Sequence, residues 1–263
     1  MSERKLALVT GASSGIGADL ARELAAGGHD LILVARGVDK LRALGDELQK
    51  AHGVVAHVIG ADLARPDAAA VLASELEARK LEVEVLINNA GYALYGQFVE
   101  IDAADQLRMI QVNVVTLTQL TQLLLPKMLA RKSGRVLNVA STAAFQPGPL
   151  MAVYYATKAY VLSFSEALAN EVAGSGVTVT ALCPGPTRTG FQTRAKMEES
   201  KLVRGKEIMT SAEVARIGYR ALMKGKTVII PGASNKLLAQ AVRFLPRNTV
   251  TKMVRSAQER APH

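Results

Sequence analysis

Residues 10–17, Thr-Gly-Ala-Ser-Ser-Gly-Ile-Gly, join a short apolar run, Leu6–Val9, to a helical pattern that begins over Ile16–Leu24. A glycine-rich turn between a first strand and a first helix restricts the fold strongly. Gly11 permits a sharp turn, and Gly15 and Gly17 let backbone come close to a ligand and let the helix pack tightly on the sheet. The alternation then continues. Apolar runs at Leu31–Ala35, Val54–Ile59, Val83–Ile87, Arg135–Ala140, Val177–Leu182 and Thr227–Ile230 read as strands. Between them, Lys40–Lys50, Asp67–Lys80, Ala104–Met128, Tyr154–Ala173 and Ala212–Met223 read as helices. Strand and helix in strict turn predict a single-domain α/β fold, a parallel doubly wound sheet of about seven strands.

The aliphatic bias fits a sheet buried on both faces: 49% of residues are hydrophobic and only 4% aromatic. The one cysteine, Cys183, excludes an intramolecular disulfide and a cysteine metal cluster, and reads as a small buried residue rather than a nucleophile. His29, His52, His57 and His263 have no ligand spacing, so no metal is expected. The first ten residues lack the apolar stretch of a secretory signal, and no uninterrupted apolar run reaches the ~18 residues of a membrane span. The expectation is a cytoplasmic protein.

The net charge of +9 is uneven: residues 1–193 carry 17 Lys+Arg against 18 Asp+Glu, and residues 194–263 carry 15 against 5. The division is a domain over 1–233 and a basic amphipathic tail over 234–263. Pro246 splits the tail into two apolar faces, one with Leu237, Leu238, Ala241, Val242 and Leu245, the other with Val250, Met253 and Val254. Such a tail packs back on its own domain or a subunit interface, touches an anionic membrane, or attracts an acyl carrier. It lacks the interleaved aromatics of a nucleic-acid surface, so no nucleic-acid partner is expected.

A glycine-rich turn opening a helix binds phosphate, because the helix N-terminus offers free N–H groups and partial positive charge. The candidate contacts are Gly11, Ser13, Ser14, Gly15, Ile16 and Gly17. In such units an acidic residue roughly 20 positions on binds the ribose 2′-hydroxyl of NAD. Here Ala35 takes that place and Arg36 follows, while Asp30 lies at the wrong end of the strand. An arginine pairs with a 2′-phosphate, which favours NADP(H).

Tyr154 and Lys158 stand at i and i+4, on one face of a helix. A cation there is expected to pull the phenol pKa down from ~10, so that the tyrosine exchanges a proton near neutral pH. Tyr155 has Ala159 at i+4 and lacks this partner.

These features occur in a definite order: Thr10–Gly17, Asp62-Leu63, Asn88-Asn89-Ala90-Gly91, Asn113, Ser141, Tyr154-x-x-x-Lys158, and Pro184-Gly185 with Thr189. Over residues 5–232 the chain resembles the short-chain dehydrogenase/reductase family, whose sheet is Rossmann-like. The resemblance implies that Asp62 and Leu63 contact adenine and that Asn89, Ala90 and Gly91 run past the adenosine ribose. It implies that Ser141 orients a substrate carbonyl, Tyr154 transfers the proton, Lys158 holds the nicotinamide ribose, and Asn113 helps position a relay water. Pro184, Gly185, Thr187 and Thr189 would meet the nicotinamide end. Residues 187–211 would form a lid over the substrate, and the chain would work as a homodimer or homotetramer. Asn88 is either part of this stretch or a structural residue at a strand end.

The leading functional expectation is an NADPH-dependent oxidoreductase that moves hydride between nicotinamide and a hydrophobic carbonyl or alcohol. Phe145, Leu150, Met151, Phe191 and Met197 are candidates for an apolar pocket. A 3-oxoacyl reductase on carrier-bound or CoA-bound chains is the alternative. A nucleotide-sensing binding protein on the same fold is a third reading, and it has no need of the Ser141, Tyr154, Lys158 and Asn113 set. Relatives that prefer NADP often carry a second basic residue where this chain has Ser14, so Arg36 acting alone implies modest discrimination. Steady-state kinetics with each cofactor is expected to give a higher kcat/KM with NADPH than with NADH, and the reverse order would refute the assignment to Arg36.

Overall fold

A strand that is apolar on both sides needs a layer against each face, and the chain supplies both layers. The computed structural model of the protein describes residues 4–189 and 208–259. Its first half runs β1 (Leu6–Thr10), α1 (Gly15–Ala26), β2 (Asp30–Ala35), α2 (Val38–His52), β3 (Ala56–Gly60), α3 (Ala68–Ala78) and β4 (Val83–Asn88). Then follow α4 (Ala103–Ile110), α5 (Leu117–Arg131), β5 (Gly134–Val139), α6 (Ala152–Glu171) and β6 (Val177–Leu182). The short β7 (Thr187–Arg188) and β8 (Met209–Thr210), α7 (Ser211–Met223), β9 (Val228–Ile229), α8 (Ala233–Ala241) and α9 (Arg247–Gln258) complete it.

The central sheet has seven parallel strands in the order β3-β2-β1-β4-β5-β6-β9. Successive side chains point to opposite faces, so Ala7 and Val9 of β1 join one core and Leu8 the other. The first core packs Leu20 and Leu24 of α1 and Leu41 and Leu48 of α2 on the sheet. The second packs Leu72 and Leu76 of α3 with Leu120, Leu124 and Met128 of α5.

Most expected elements are present within a residue or two of their read boundaries. Two differ. The long helix expected over Ala104–Met128 is α4 and α5 joined by a π-helical stretch, Gln111–Thr116, which holds Asn113. The loop after β6 contains β7, paired in parallel with β8 in a separate small sheet. Two-residue strands carry no periodicity a sequence can show. Most of the expected lid, with Phe191 and Met197, lies outside the described residues.

The chain departs from β1 towards β2 and β3 and returns to β4 on the other side, so the loops after β1 and β4 diverge and leave a crevice. Side chains close the exposed backbone there. Thr10 Oγ1 donates to Ile87 O at 3.1 Å and accepts from Asn89 N and Ala90 N, both at 3.0 Å. Asn89 Nδ2 donates to Thr10 O at 2.9 Å and to Gly11 O at 3.2 Å.

Gly17 packs against this junction. A Cβ there would lie well inside contact distance of the Asn89 amide and the Gly11 carbonyl oxygen. Because both are held by hydrogen bonds, neither yields cheaply. Gly17→Ala is expected to destabilise the protein by about 2–3 kcal/mol, read as a lower urea midpoint at unchanged m-value. A stability equal to wild type would show that the junction is loose.

Candidate active site

A cleft of about 1150 Å³ opens at the carboxyl ends of the central strands. One wall is the turn after β1. Gly11 (φ +66°) and Gly15 (φ +58°) both use left-handed backbone, which costs glycine nothing. Ser14 is extended and caps α1 without a side-chain hydrogen bond. Gly11, Ser13, Ser14, Gly15 and Ile16 all line the cleft, so the amino end of α1 faces it. A Cβ on Gly15 would come 3.2 Å from Thr189 across the opening, so only glycine keeps the cradle clear. Gly17 does not reach the cleft and acts behind it. These features fit a pyrophosphate.

Arg36 and Lys40 stand at one end, after β2 and in the first turn of α2, next to Asp62 and Leu63 beyond β3. Arg108 of α4 joins them and pairs with Asp62 at 3.6 Å. Lys40 and Arg108 were not singled out in the sequence. Lys40 follows Arg36 at helical spacing, a detectable signal, whereas Arg108 arrives from a distant element. With no carboxylate at Ala35 and with Arg36 and Lys40 present, this end fits a 2′-phosphate. Asp30 is elsewhere: its Oδ1 accepts from Val55 N at 2.8 Å.

Ala90, Gly91, Pro184, Gly185, Thr187 and Thr189 line the middle and far end. Asn89 also lines the cleft, although its amide is committed to β1. Asn88 does not line it. Its Nδ2 donates to Thr121 Oγ1 at 3.0 Å and Asn138 Oδ1 at 2.9 Å, deep in the sheet, so the structural reading of Asn88 holds.

Ser141, Tyr154 and Lys158 meet in the cleft. Ser141 follows β5 in extended conformation; its Oγ accepts from Ala143 N at 3.1 Å, donates to Pro184 O at 3.4 Å, and bonds the Tyr154 hydroxyl. Tyr154 and Lys158 lie one turn apart on α6, and both are buried. Lys158 Nζ donates to Val139 O at 2.7 Å and sits over the Tyr154 ring, 5.8 Å from its centroid.

The expected lowering of the tyrosine pKa is not found. Burial pushes the Tyr154 phenol up to about 12, partly offset by the Ser141 hydrogen bond. The same burial pushes Lys158 down to about 8. A low-dielectric surround disfavours both charged forms, and the ammonium faces the ring while its proton goes to a carbonyl. Helical spacing shows neither burial nor direction. The consequence is a phenol fully protonated at neutral pH, poised to donate.

Asn113 lies just behind. Its Nδ2 donates to Tyr92 O at 3.0 Å and Thr157 Oγ1 at 3.1 Å, and its Oδ1 accepts from Tyr92 N at 3.2 Å. The side chain thus ties the loop after β4 to α6. A Cβ on Gly91 would be 3.0 Å from Asn113 Oδ1 and 3.6 Å from Lys158 Nζ, so glycine lets this loop pass over the lysine. The π-helical turn around Asn113 is a distortion common at functional sites.

Of the apolar pocket candidates, Met151 lines the cleft, Leu150 a small side cavity, and Phe145 packs in the core around Val161. The tail packs back on its own domain, one of the readings its sequence offered, and Gln258 is the residue the sequence reading did not include. Val250 and Val254 of α9 pack with Ala93, Met109, Met151, Tyr154 and Tyr155. Buried Gln258 donates from Nε2 to Tyr155 Oη at 2.7 Å, and its backbone carbonyl accepts from Tyr95 Oη at 2.7 Å. Tyr155 in turn meets Tyr154 edge to face, with centroids 6.0 Å apart. The tail is therefore packed on its own domain, behind the tyrosines. Spacing of Val250, Val254 and Gln258 by four was the available signal.

The profile of the short chain dehydrogenase family matches residues 5–200. The chain is a short-chain dehydrogenase/reductase. It is 36% identical to the short-chain dehydrogenase from Sphingobium yanoikuyae in complex with NADPH, with a TM-score of 0.82 over 91% of this chain and 93% of that one. It is 32% identical over 253 residues to the very-long-chain 3-oxoacyl-CoA reductase of Anas platyrhynchos, covering 94% of this chain and 78% of the relative. A short chain dehydrogenase of Pseudocercospora fijiensis is 39% identical over 69% of this chain, which spans 59% of that relative's length. As an oxidoreductase of this family, the chain acts at a CH–OH or carbonyl group with a nicotinamide cofactor.

Lys158 gives the site of this short-chain dehydrogenase/reductase a measurable cost. Its native pKa, about 8, lies below the ordinary lysine value of 10.5, so between the two the unfolded chain binds the proton more tightly. The cost of burying the ammonium is complete below pH 8 and is relieved as pH rises. Relative to Lys158→Met, wild type is expected to gain about a factor of ten in folding equilibrium per pH unit between pH 8 and 10, measured by denaturant titration of both proteins. A pH-independent difference would place the native lysine pKa at its ordinary value.

Proposed function

We propose that this protein is an NADPH-dependent reductase of hydrophobic ketones or aldehydes, acting in the cytoplasm as a homodimer or homotetramer. The observation that carries the reading is the hydrogen-bonded pair Ser141 and Tyr154, with a protonated phenol, in a partly apolar cleft beside a phosphate-type turn. The NADPH of a similar solved structure and the cations Arg36 and Lys40 support the cofactor.

Bound NADPH supplies hydride to the carbonyl carbon. Negative charge then grows on the carbonyl oxygen. Tyr154 Oη and Ser141 Oγ are held together at one point, and the serine hydroxyl need only turn from its long contact with Pro184 O to join the tyrosine as a second donor to that charge. Tyr154 gives its proton to the oxygen, and a proton from solvent restores the phenol. Lys158, charged below pH about 8, lowers the cost of the transient phenolate. The proton from Tyr154, together with the hydride that bound NADPH would supply, would convert the carbonyl to the alcohol.

A second reading, reduction of a 3-oxoacyl thioester, draws support from the similarity to a very-long-chain 3-oxoacyl-CoA reductase and from the cationic tail near the cleft mouth. Exposed Leu123 of α5, and exposed Tyr160 stacked on Phe164 of α6, support a subunit interface on those helices.

The test is loss of NADPH absorbance across ketones, aldehydes and 3-oxoacyl thioesters. Tyr154→Phe is expected to lower kcat for the best substrate by about 10³ while NADPH affinity, measured by fluorescence, is unchanged. Reductive kcat/KM is expected to fall as pH rises through about 8, where Lys158 discharges. Turnover retained by Tyr154→Phe would remove the assigned proton donor.

A further inference from the structure

The C-terminal segment has two faces. The inner one is used: Ala239, Val250, Val254 and Gln258 are buried against the domain. The outer one is apolar and unburied. Leu237 is 72% exposed, Phe244 86% and Met253 54%, with Leu238 and Leu245 also exposed. Singly exposed apolar residues are ordinary, but a run of them on two successive helices and their connecting turn marks an interaction surface. Between them stand Lys236, Arg243, Arg247, Lys252 and Arg255, whereas Glu259 is the one acidic residue of 233–259.

We propose that this outer face docks the protein peripherally on an anionic lipid surface. Large apolar side chains interleaved with cations are what an interfacial helix needs: the apolar groups enter the boundary region while the cations meet anionic headgroups. Among the described residues no helix is long and apolar enough to cross a membrane, so the contact lies on the surface. A second copy of the chain fits less well. A two-fold contact sets the patch against itself, which brings five cations of one copy against five of the other with almost no carboxylate between them.

The placement has a chemical consequence. Leu238 lines the catalytic cleft as well as belonging to the outer face, and Ser234 and Asn235 of the same helix line it too. The docked face is therefore continuous with the cleft mouth, and an apolar carbonyl compound dissolved in lipid enters without crossing water.

The experiment is sedimentation of the full chain with vesicles of phosphatidylcholine alone or mixed with phosphatidylglycerol. Two double variants, Leu237→Ser with Phe244→Ser and Arg243→Glu with Arg247→Glu, accompany wild type. Wild type is expected to pellet with the anionic vesicles, at least about tenfold more strongly than with neutral ones, and less so as salt rises. Each double variant is expected to lose about tenfold or more in binding, with folded-state circular dichroism and NADPH affinity unchanged. Vesicle indifference of wild type, or binding by both variants as strong as that of wild type, overturns the proposal. So does a change of oligomeric mass in the serine variant without vesicle binding, which assigns the face to a second copy, or retention on an acidic carrier protein alone. None of these readouts uses turnover, so failure here leaves the reductase reading intact, and failure of that reading leaves the docking intact.

Discussion

The structure depends on the way the chain reverses between β1 and β4. Two neighbouring parallel strands whose loops diverge leave main-chain N–H and C=O groups with no ladder partner. Thr10 and Asn89 take them up from opposite sides, one hydroxyl meeting three backbone groups and one amide meeting two carbonyls. Closing the junction with side chains brings α1 down until only glycine fits at residue 17. That close approach puts the amino end of α1 at the floor of the cleft. The phosphate cradle is thus a consequence of satisfying a sheet defect, and the two do not vary independently.

The catalytic half rests on a different compromise. Tyr154 and Lys158 are each held in an environment that disfavours their charge, which stabilises neither. The surround tolerates this because α6 is fixed from several directions. Asn113 bonds Thr157, Lys158 bonds the end of β5, and Gln258 reaches Tyr155 from the tail. Burial keeps the phenol protonated at neutral pH, the form that donates a proton, and pulls the lysine down to about 8.

What was legible in the sequence follows from these constraints. The strands and helices could be read because a sheet covered on both faces leaves unbroken aliphatic runs between amphipathic ones. The cradle could be read because left-handed backbone at Gly11 and Gly15 demands glycine at those positions. Tyr154, Lys158 and Ser141 could be read from order and spacing. Burial could not, and it reversed the expected direction of the tyrosine shift. Arg108 escaped because it reaches the cleft from an element remote in sequence, and Gln258 because its spacing of four from Val254 marks a buried face without showing that Tyr155 is what it meets. The π-helical turn at Asn113 escaped because one extra residue in a helical turn does not disturb a pattern of Val, Thr and Leu.

The two halves of the cleft also differ in what they can specify. A cofactor pyrophosphate is rigidly charged and is met by backbone N–H groups and glycine, so few sequences serve, and the residues that do are recognisable. The substrate half is lined by Tyr155, Met151, Leu94 and Leu238, with α9 packed behind. Apolar contact is non-directional, so many side chains of the right volume give the same wall. The shape of that wall depends on the tail, because Val250 and Val254 of α9 pack against Met151 and Tyr155. This is why the chain states its reaction in a handful of residues and distributes its substrate over a surface.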